Sequence, residues 1–105
     1  MSNVAPLTVL SSVVALGVSL DGWSLLDPLL GTDRTFRYPV VFNRSFSSPP
    51  VVHVGMVGID ASKDDNLRVR LRAVDITEAG FTLEAETWHS TRIWSVDVSW
   101  LAIGS

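Results

Sequence analysis

The chain has 105 residues, of which 47% are hydrophobic and 18% charged, and its formal net charge at pH 7 is −3. This length and apolar content predict one folded domain and argue against a disordered chain. The negative charge argues against nucleic acid as a partner, and the absence of cysteine excludes disulfides, cysteine-bound zinc and thiol catalysis. The apolar excess also indicates that part of the surface is buried in an oligomer.

The most apolar part of the chain is residues 7–20, near the N-terminus. It is too short to cross a bilayer, which needs about 20 residues, and residues 1–6 lack the Lys or Arg of a secretory signal. We therefore expect no membrane insertion. The spacing fits either a helix or a strand. We interpret residues 1–30 as an N-terminal apolar docking segment, packed in the fold or along an oligomer axis, and residues 31–105 as the main domain.

From residue 36 onward the sequence has the alternating pattern of β-strands, in which every second side chain faces the core. Pro39 indicates that the first of these strands lies at a sheet edge, and Gly80 fits a positive φ in a turn. Short strands at hairpin spacing predict an all-β antiparallel sandwich. The predicted strands are residues 36–42, 51–59, 67–73, 81–88 and 93–103.

The same alternation assigns side chains to faces. In the last strand it places Trp94 on the same face as Val96. Glu84 and Glu86 are interpreted as solvated side chains on an exposed strand face. Every second residue of the third predicted strand is an arginine that is expected to face outward: Arg68, Arg70 and Arg72.

The sequence carries no catalytic signature. His53 and His89 are its two histidines, and neither belongs to a cluster with metal-ligand spacing. His53 lies in an apolar strand and is interpreted as a core or interface residue. The acidic pair at residues 64–65 falls in a polar turn and is interpreted as solvated surface. We therefore predict no enzymatic activity, no metal and no cofactor.

The aromatic residues are more informative than the charged ones. Trp88 and Trp94 flank a short polar turn that contains His89. A tryptophan ring packs against the apolar C–H face of a sugar, and neighbouring polar side chains bond its hydroxyls. Arg68, on another strand, offers a fork of donors to such a ligand. The alternative is that the two tryptophans form a cross-strand pair in the core, and spacing alone leaves both interpretations open.

Several short motifs resemble the H-type lectin family, the snail-agglutinin type. They are NLRV at residues 66–69, GF at 80–81, TWHSTRIWS at 87–95 and VSWLAI at 98–103. The resemblance covers residues 36 to 104, about two-thirds of the chain. It implies a six-stranded antiparallel β-sandwich assembled as a homotrimer. It also implies binding of N-acetylgalactosamine or related galactose-type sugars, without metal, in clefts between subunits.

Carried over residue by residue, the resemblance implies a sugar site at the following positions: Asp33, Arg68, Trp88, His89 and Trp94. Asp33 enters through the match of residues 31–33 to the family's Gly-x-Asp. Trp94 stands where the snail agglutinin has a tyrosine, so a hydroxyl is replaced by an indole N–H. In a single chain Arg68 and the 88–94 region are expected to lie apart, and Arg68 of one chain is expected to meet Trp88, His89 and Trp94 of the next.

A lectin is the predicted function, with glycans as partners and an extracellular or surface-associated location favoured by the resemblance. The alternative is a trimeric structural or interaction module, for example at the tip of a larger assembly, whose sugar pocket is altered or lost.

Overall fold

A computed structural model describes residues 6–28 and 32–105, and these residues form two three-stranded sheets. The strand order is β1-β6-β3 in the first sheet and β2-β5-β4 in the second, and every neighbouring pair is antiparallel. The predicted six-stranded antiparallel β-sandwich is therefore confirmed. The strands are β1 Thr8–Gly17, β2 Asp33–Val41, β3 Val51–Ala61, β4 Arg70–Val74, β5 Gly80–Trp88 and β6 Ile93–Gly104.

The core lies between the two sheets and follows the predicted alternation. Leu83 and Ala85 of β5 are fully buried, as are Val96 and Val98 of β6. One end of the core is aromatic, because four rings meet there with centroids 5.2 to 6.0 Å apart. These rings belong to Phe42, Phe46, Phe81 and Trp100. Burial of each such side chain contributes roughly 1.5–3 kcal/mol to stability, before the cost of ordering it.

The N-terminal apolar run forms a strand and not a helix. β1 pairs with β6 along its whole length, from Thr8 opposite Gly104 to Gly17 opposite Ser95. Leu16 is buried in the core. The predicted boundary between residues 30 and 31 therefore falls between two strands of one sandwich. Residues 1–5 and 29–31, which include parts of the predicted docking segment and the glycine of the Gly-x-Asp match, lie outside the described residues.

A β-bulge in β6 corrects the predicted orientation of Trp94. The register passes from Asp60 opposite Ser95 to Ala61 opposite Ile93, so Trp94 has no partner on β3. Ile93 is fully buried, and Trp94 is 39% exposed. An extra residue in one strand shifts the alternation that precedes it. Trp94 consequently lies on the outer side of the first sheet and does not share the core face of Val96.

Three other local predictions are changed by the tertiary structure. β4 begins at Arg70, three residues later than the alternation predicted. His53 is exposed on the outer side of the first sheet, so it is not a core residue. Gly80 does not have a positive φ. Glycine is needed there because a Cβ would lie 2.2 Å from the carbonyl oxygen of Val40. Pro39 lies in an edge strand, as predicted.

Candidate functional site

The predicted site residues other than Trp94 lie at one end of the second sheet. Asp33 is the first residue of β2 and lies directly opposite Trp88, the last residue of β5. Directly opposite residues of an antiparallel pair project to the same face, with Cβ atoms about 4.5–5.5 Å apart. On the other side of β5, the paired register of β4 ends at Arg70 opposite Glu86, and Arg68 lies two residues before it, outside the strand. The Thr87 hydroxyl donates a hydrogen bond to the Arg68 carbonyl, which keeps this segment beside β5.

The turn after β5 carries His89 in a left-handed conformation, with φ of 56°. Non-glycine residues adopt this conformation uncommonly, so surrounding contacts must hold it. The His89 N–H donates a hydrogen bond to the Thr32 carbonyl at 2.8 Å. The His89 side chain is exposed. The turn therefore presents an imidazole to solvent beside Trp88 and Asp33.

Arg68 contacts this turn within a single chain. Its Nη1 donates a hydrogen bond to the hydroxyl oxygen of Thr91 at 3.0 Å, and that hydroxyl donates to the Asn66 carbonyl at 2.6 Å. Thr91 is buried and Arg68 is half-buried. The expectation that Arg68 and the 88–94 region would lie apart in a single chain is thus corrected. Tertiary contacts of the loop before β4, which alternation does not describe, bring Arg68 to the turn.

Sequence reasoning missed Arg34, which lies beneath the same turn. Only 3% of Arg34 is exposed, and its guanidinium donates hydrogen bonds to the carbonyls of Leu25, His89 and Thr91. Burial removes water from the charged group and lowers the pKa of Arg34, and the nearby carboxylate of Asp27 opposes that change. The sequence did contain a signal that Arg34 is buried, because Arg34 lies in phase with the inward-facing residues of β2.

An ion-pair ladder on the outer face of the second sheet leads to Trp88. Glu84 pairs with Arg37 at 3.0 Å, and Glu86 pairs with Arg70 at 2.9 Å. The Arg70 guanidinium also lies 5.0 Å from the centre of the Trp88 ring, a cation–π contact. The interpretation of Glu84 and Glu86 as freely solvated is wrong, because arginines on both neighbouring strands cover them. Arg72 completes the ladder by contacting both glutamates.

Arg68 differs from these ladder arginines. No ion pair within residues 6–28 and 32–105 includes Arg68, and its side chain instead bonds to a neutral hydroxyl. Its remaining N–H donors leave room for a polar ligand. Trp94, by contrast, lies on the first sheet, and Trp88 and Trp94 are not among the ring pairs of the described residues. The alternative of a cross-strand tryptophan pair in the core is therefore wrong.

The site is an open surface at the end of the sheet. Two cavities of about 260 Å³ lie elsewhere, one beside Gly80 and one beside Trp100, and none of the five predicted residues lines either. Within the described residues no cluster of three or more histidine or acidic side chains could hold a metal ion. The same part of the chain contains no helix that is long and apolar enough to cross a membrane.

Comparison with known proteins identifies the domain. Residues 37–103 match the H-type lectin domain. The chain belongs to the H-type lectin domain family. A lectin domain binds carbohydrate, so this is a carbohydrate-binding domain. The matched range begins in β2 and ends in β6, so it includes Arg68, Trp88, His89 and Trp94 but neither β1 nor Asp33.

One curated protein and two solved structures are similar to this chain, and the solved structures share its fold. The "ATP synthase subunits region ORF 7" protein of Fuscovulum blasticum is 40% identical over 72 residues, which are 69% of this chain and 63% of that protein. A native structure of recombinant discoidin II of Dictyostelium discoideum superposes with a TM-score of 0.78 at 23% identity. It covers 99% of this chain and 39% of discoidin II. A wild-type discoidin II structure gives the same score over 98% and 38% of the two chains.

Proposed function

We propose that this protein is a multivalent lectin for N-acetylgalactosamine and related galactose-type sugars, with its pocket at the end of the second sheet. The observation that carries the proposal is the convergence of Asp33, Trp88 and Arg68 beside the exposed His89, in a chain that belongs to the H-type lectin domain family.

The chemistry of these side chains suits a sugar. The Asp33 carboxylate is exposed and accepts hydrogen bonds from hydroxyls, while Arg68 donates to a hydroxyl or an acetamido carbonyl. The half-buried Trp88 ring supplies the apolar contact. Because the Arg70 guanidinium lies over this ring, a sugar packs against the part that Arg70 leaves uncovered. His89 supplies a further polar contact at the rim.

A homotrimer is the second part of the proposal. The outer face of the first sheet exposes an unusual number of large aliphatic side chains for a soluble protein. Burying these faces around a three-fold axis removes them from water. They are Val9, Val13, Val51, Val57 and Ile103. Trp94 lies on the same side of the sandwich, so in the trimer it contributes to the pocket of a neighbouring chain. The clefts between subunits then combine four residues of one chain with Trp94 of the next.

Calorimetric titration of the purified protein with N-acetylgalactosamine, galactose and glucose tests the proposal. We expect saturable binding of the first two sugars and none of glucose. We also expect the same affinity after EDTA treatment, since the proposed contacts need no metal. Loss of binding with EDTA and its return with calcium would contradict the proposed site. Binding of none of the galactose-type sugars would instead favour a trimeric interaction module.

A further inference from the structure

We propose that Arg34 is a positioning residue for the sugar site: its buried guanidinium holds the turn at residues 89–91, and through that turn it orients His89 and Arg68. The sugar-binding consequence rests on the proposed function, whereas the effect on the turn does not. Arg34 does not touch the ligand in this arrangement. It acts through the backbone that carries the residues that do.

Three hydrogen bonds connect the Arg34 guanidinium to two separate segments of the chain. Arg34 Nη2 lies 2.9 Å from the carbonyl oxygen of His89 and 2.6 Å from that of Thr91. Its Nη1 lies 2.9 Å from the carbonyl oxygen of Leu25. One rigid, planar cation therefore joins the loop before β2 to two successive points of the β5–β6 turn. Hydrogen bonds from a charged donor are the stronger kind.

These contacts maintain an uncommon backbone conformation at His89. His89 has a positive φ, and both of its backbone polar groups are bonded: the N–H to Thr32 and the carbonyl to Arg34. The two bonds clamp His89 from either side. A left-handed residue that lacks such support relaxes toward commoner backbone angles. That change would swing the imidazole away from Trp88.

Arg34 is also linked to Arg68, because both arginines bond to Thr91. Thr91 receives a bond from Arg34 on its carbonyl and a bond from Arg68 on its hydroxyl. Arg34 and Arg68 thus hold opposite ends of the same buried residue. If the Thr91 backbone moves, its hydroxyl moves and Arg68 loses its fixed partner. A misplaced binding group costs affinity even when it is still present.

A purely structural role would be filled better by an apolar side chain. The position lies in phase with Phe36 and Val40, which are buried in the core. A buried guanidinium is costly to desolvate, and its Nε has no hydrogen-bond partner within the described residues. The arrangement is consistent with a group retained for the geometry of the turn at some cost to stability.

The test compares four variants of the full chain. Arg34→Met keeps the length of the side chain but removes all donors, and Arg34→Lys keeps the charge but not the fork. Arg37→Met is the matched control for loss of an arginine from the same strand, since Arg37 is exposed. Val98→Ala is a control for stability, because it creates a cavity in the core without touching the turn. Each variant is measured for N-acetylgalactosamine affinity, thermal midpoint and hydrogen exchange at the His89 amide.

We expect Arg34→Met to lower the affinity by about 10-fold or more and to speed exchange of the His89 amide. Arg34→Lys should lie between wild type and Arg34→Met in both measurements. Arg37→Met should match wild type, and Val98→Ala should lower the thermal midpoint while it leaves affinity and His89 exchange unchanged well below that midpoint.

The proposal is overturned if folded Arg34→Met binds sugar as tightly as Val98→Ala and protects the His89 amide equally. If Arg34→Met does not fold, Arg34→Lys decides by the same two measurements. If wild type binds no sugar, the proposed function fails, and exchange at His89 still supports or overturns the positioning role.

Discussion

The outer faces of the two sheets differ in the side chains that they expose to solvent. On the second sheet, the central strand β5 carries Glu84 and Glu86, and arginines on both flanking strands pair with them. On the first sheet, the two edge strands β1 and β3 carry aliphatic residues such as Val13, 61% exposed, and Val51, 75% exposed. The charged side chains on the outer face of the second sheet therefore have partners within the chain, whereas the aliphatic side chains on the first sheet remain exposed to water.

The difference indicates which of the two outer faces would gain more free energy from being covered by a partner. Exposed ion pairs contribute little to stability but keep a surface compatible with water. Exposed aliphatic area gains about 25 cal/mol per Å² when another surface covers it. In the proposed trimer, the first sheet is thus the face for assembly, and the second sheet is free to present a ligand site at its end. The predictions below test this division, beginning with the largest expected effect.

A charge on the apolar face should abolish assembly. Val13→Asp places a carboxylate at the middle of β1 on the outer side of the first sheet. A desolvated, unpaired carboxylate is too costly for an interface, so sedimentation should show a change from trimer to folded monomer. Val41→Asp is the matched control, because Val41 is 81% exposed on the other sheet. A trimer that survives Val13→Asp and dissociates with Val41→Asp would reverse the assignment of the two faces.

Assembly should also determine how tightly the protein binds a glycan surface. Three weak pockets in one trimer raise the apparent affinity for clustered sugar by a factor on the order of 10² or more. We expect this gain on surfaces coated with N-acetylgalactosamine and its loss in the Val13→Asp monomer. The affinity for free sugar should also fall in the monomer, because the proposed pocket then lacks Trp94 of the neighbouring chain. Unchanged affinity for free sugar would remove Trp94 from the pocket.

Arg68→Ala should weaken sugar binding by roughly 1.5–3 kcal/mol, the range for a charge-assisted hydrogen bond. It also removes the donor to Thr91, so we expect a loss of about 1 kcal/mol in the free energy of unfolding. Arg72→Ala is the control, since Arg72 lies on the same face within the ladder. Titration and chemical denaturation measure the two effects. Equal binding by Arg68→Ala and wild type would remove Arg68 from the site.

Neutralising the ladder should have the smallest effect. Glu84→Gln removes the charge that Arg37 and Arg72 share, but both arginines are largely exposed, and the expected loss in unfolding free energy is about 0.5–1 kcal/mol. The loss should shrink in 1 M salt, where the screening length is about 3 Å. Glu78→Gln, in the exposed turn before β5, is the control. A larger loss of unfolding free energy in Glu84→Gln would mean that the ion pairs contribute substantially to the stability of the second sheet.

Much of the fold was predictable because its signals are local. A strand is recognisable from the alternation of its own side chains, so the strand at residues 81–88 was predicted without any knowledge of its neighbours. Pro39 marked an edge strand for an equally local reason, the missing N–H. The resemblance then supplied Asp33, Arg68, Trp88, His89 and Trp94 as one sugar site, and this site stays a prediction.

The remaining features depend on contacts between distant parts of the chain. Alternation gave no means to choose between the helix and the strand at residues 7–20, because pairing with β6 decides it. It also placed Trp94 on the same face as Val96, since a bulge is a property of two strands in register and cannot be recognised from the sequence of one of them.

By itself, the sequence determined an antiparallel β-sandwich, its main core residues and the family to which its motifs point. Only the tertiary structure decided that Arg68 reaches its own chain's turn and that Arg34 holds that turn. Arg34 and His89 are 55 residues apart in the chain, and their hydrogen bond forms because β2 and β5 are neighbours. The phase of Arg34 in β2 indicates that it is buried, but side-chain pattern cannot identify its partners, because they are backbone carbonyls and every residue supplies the same carbonyl.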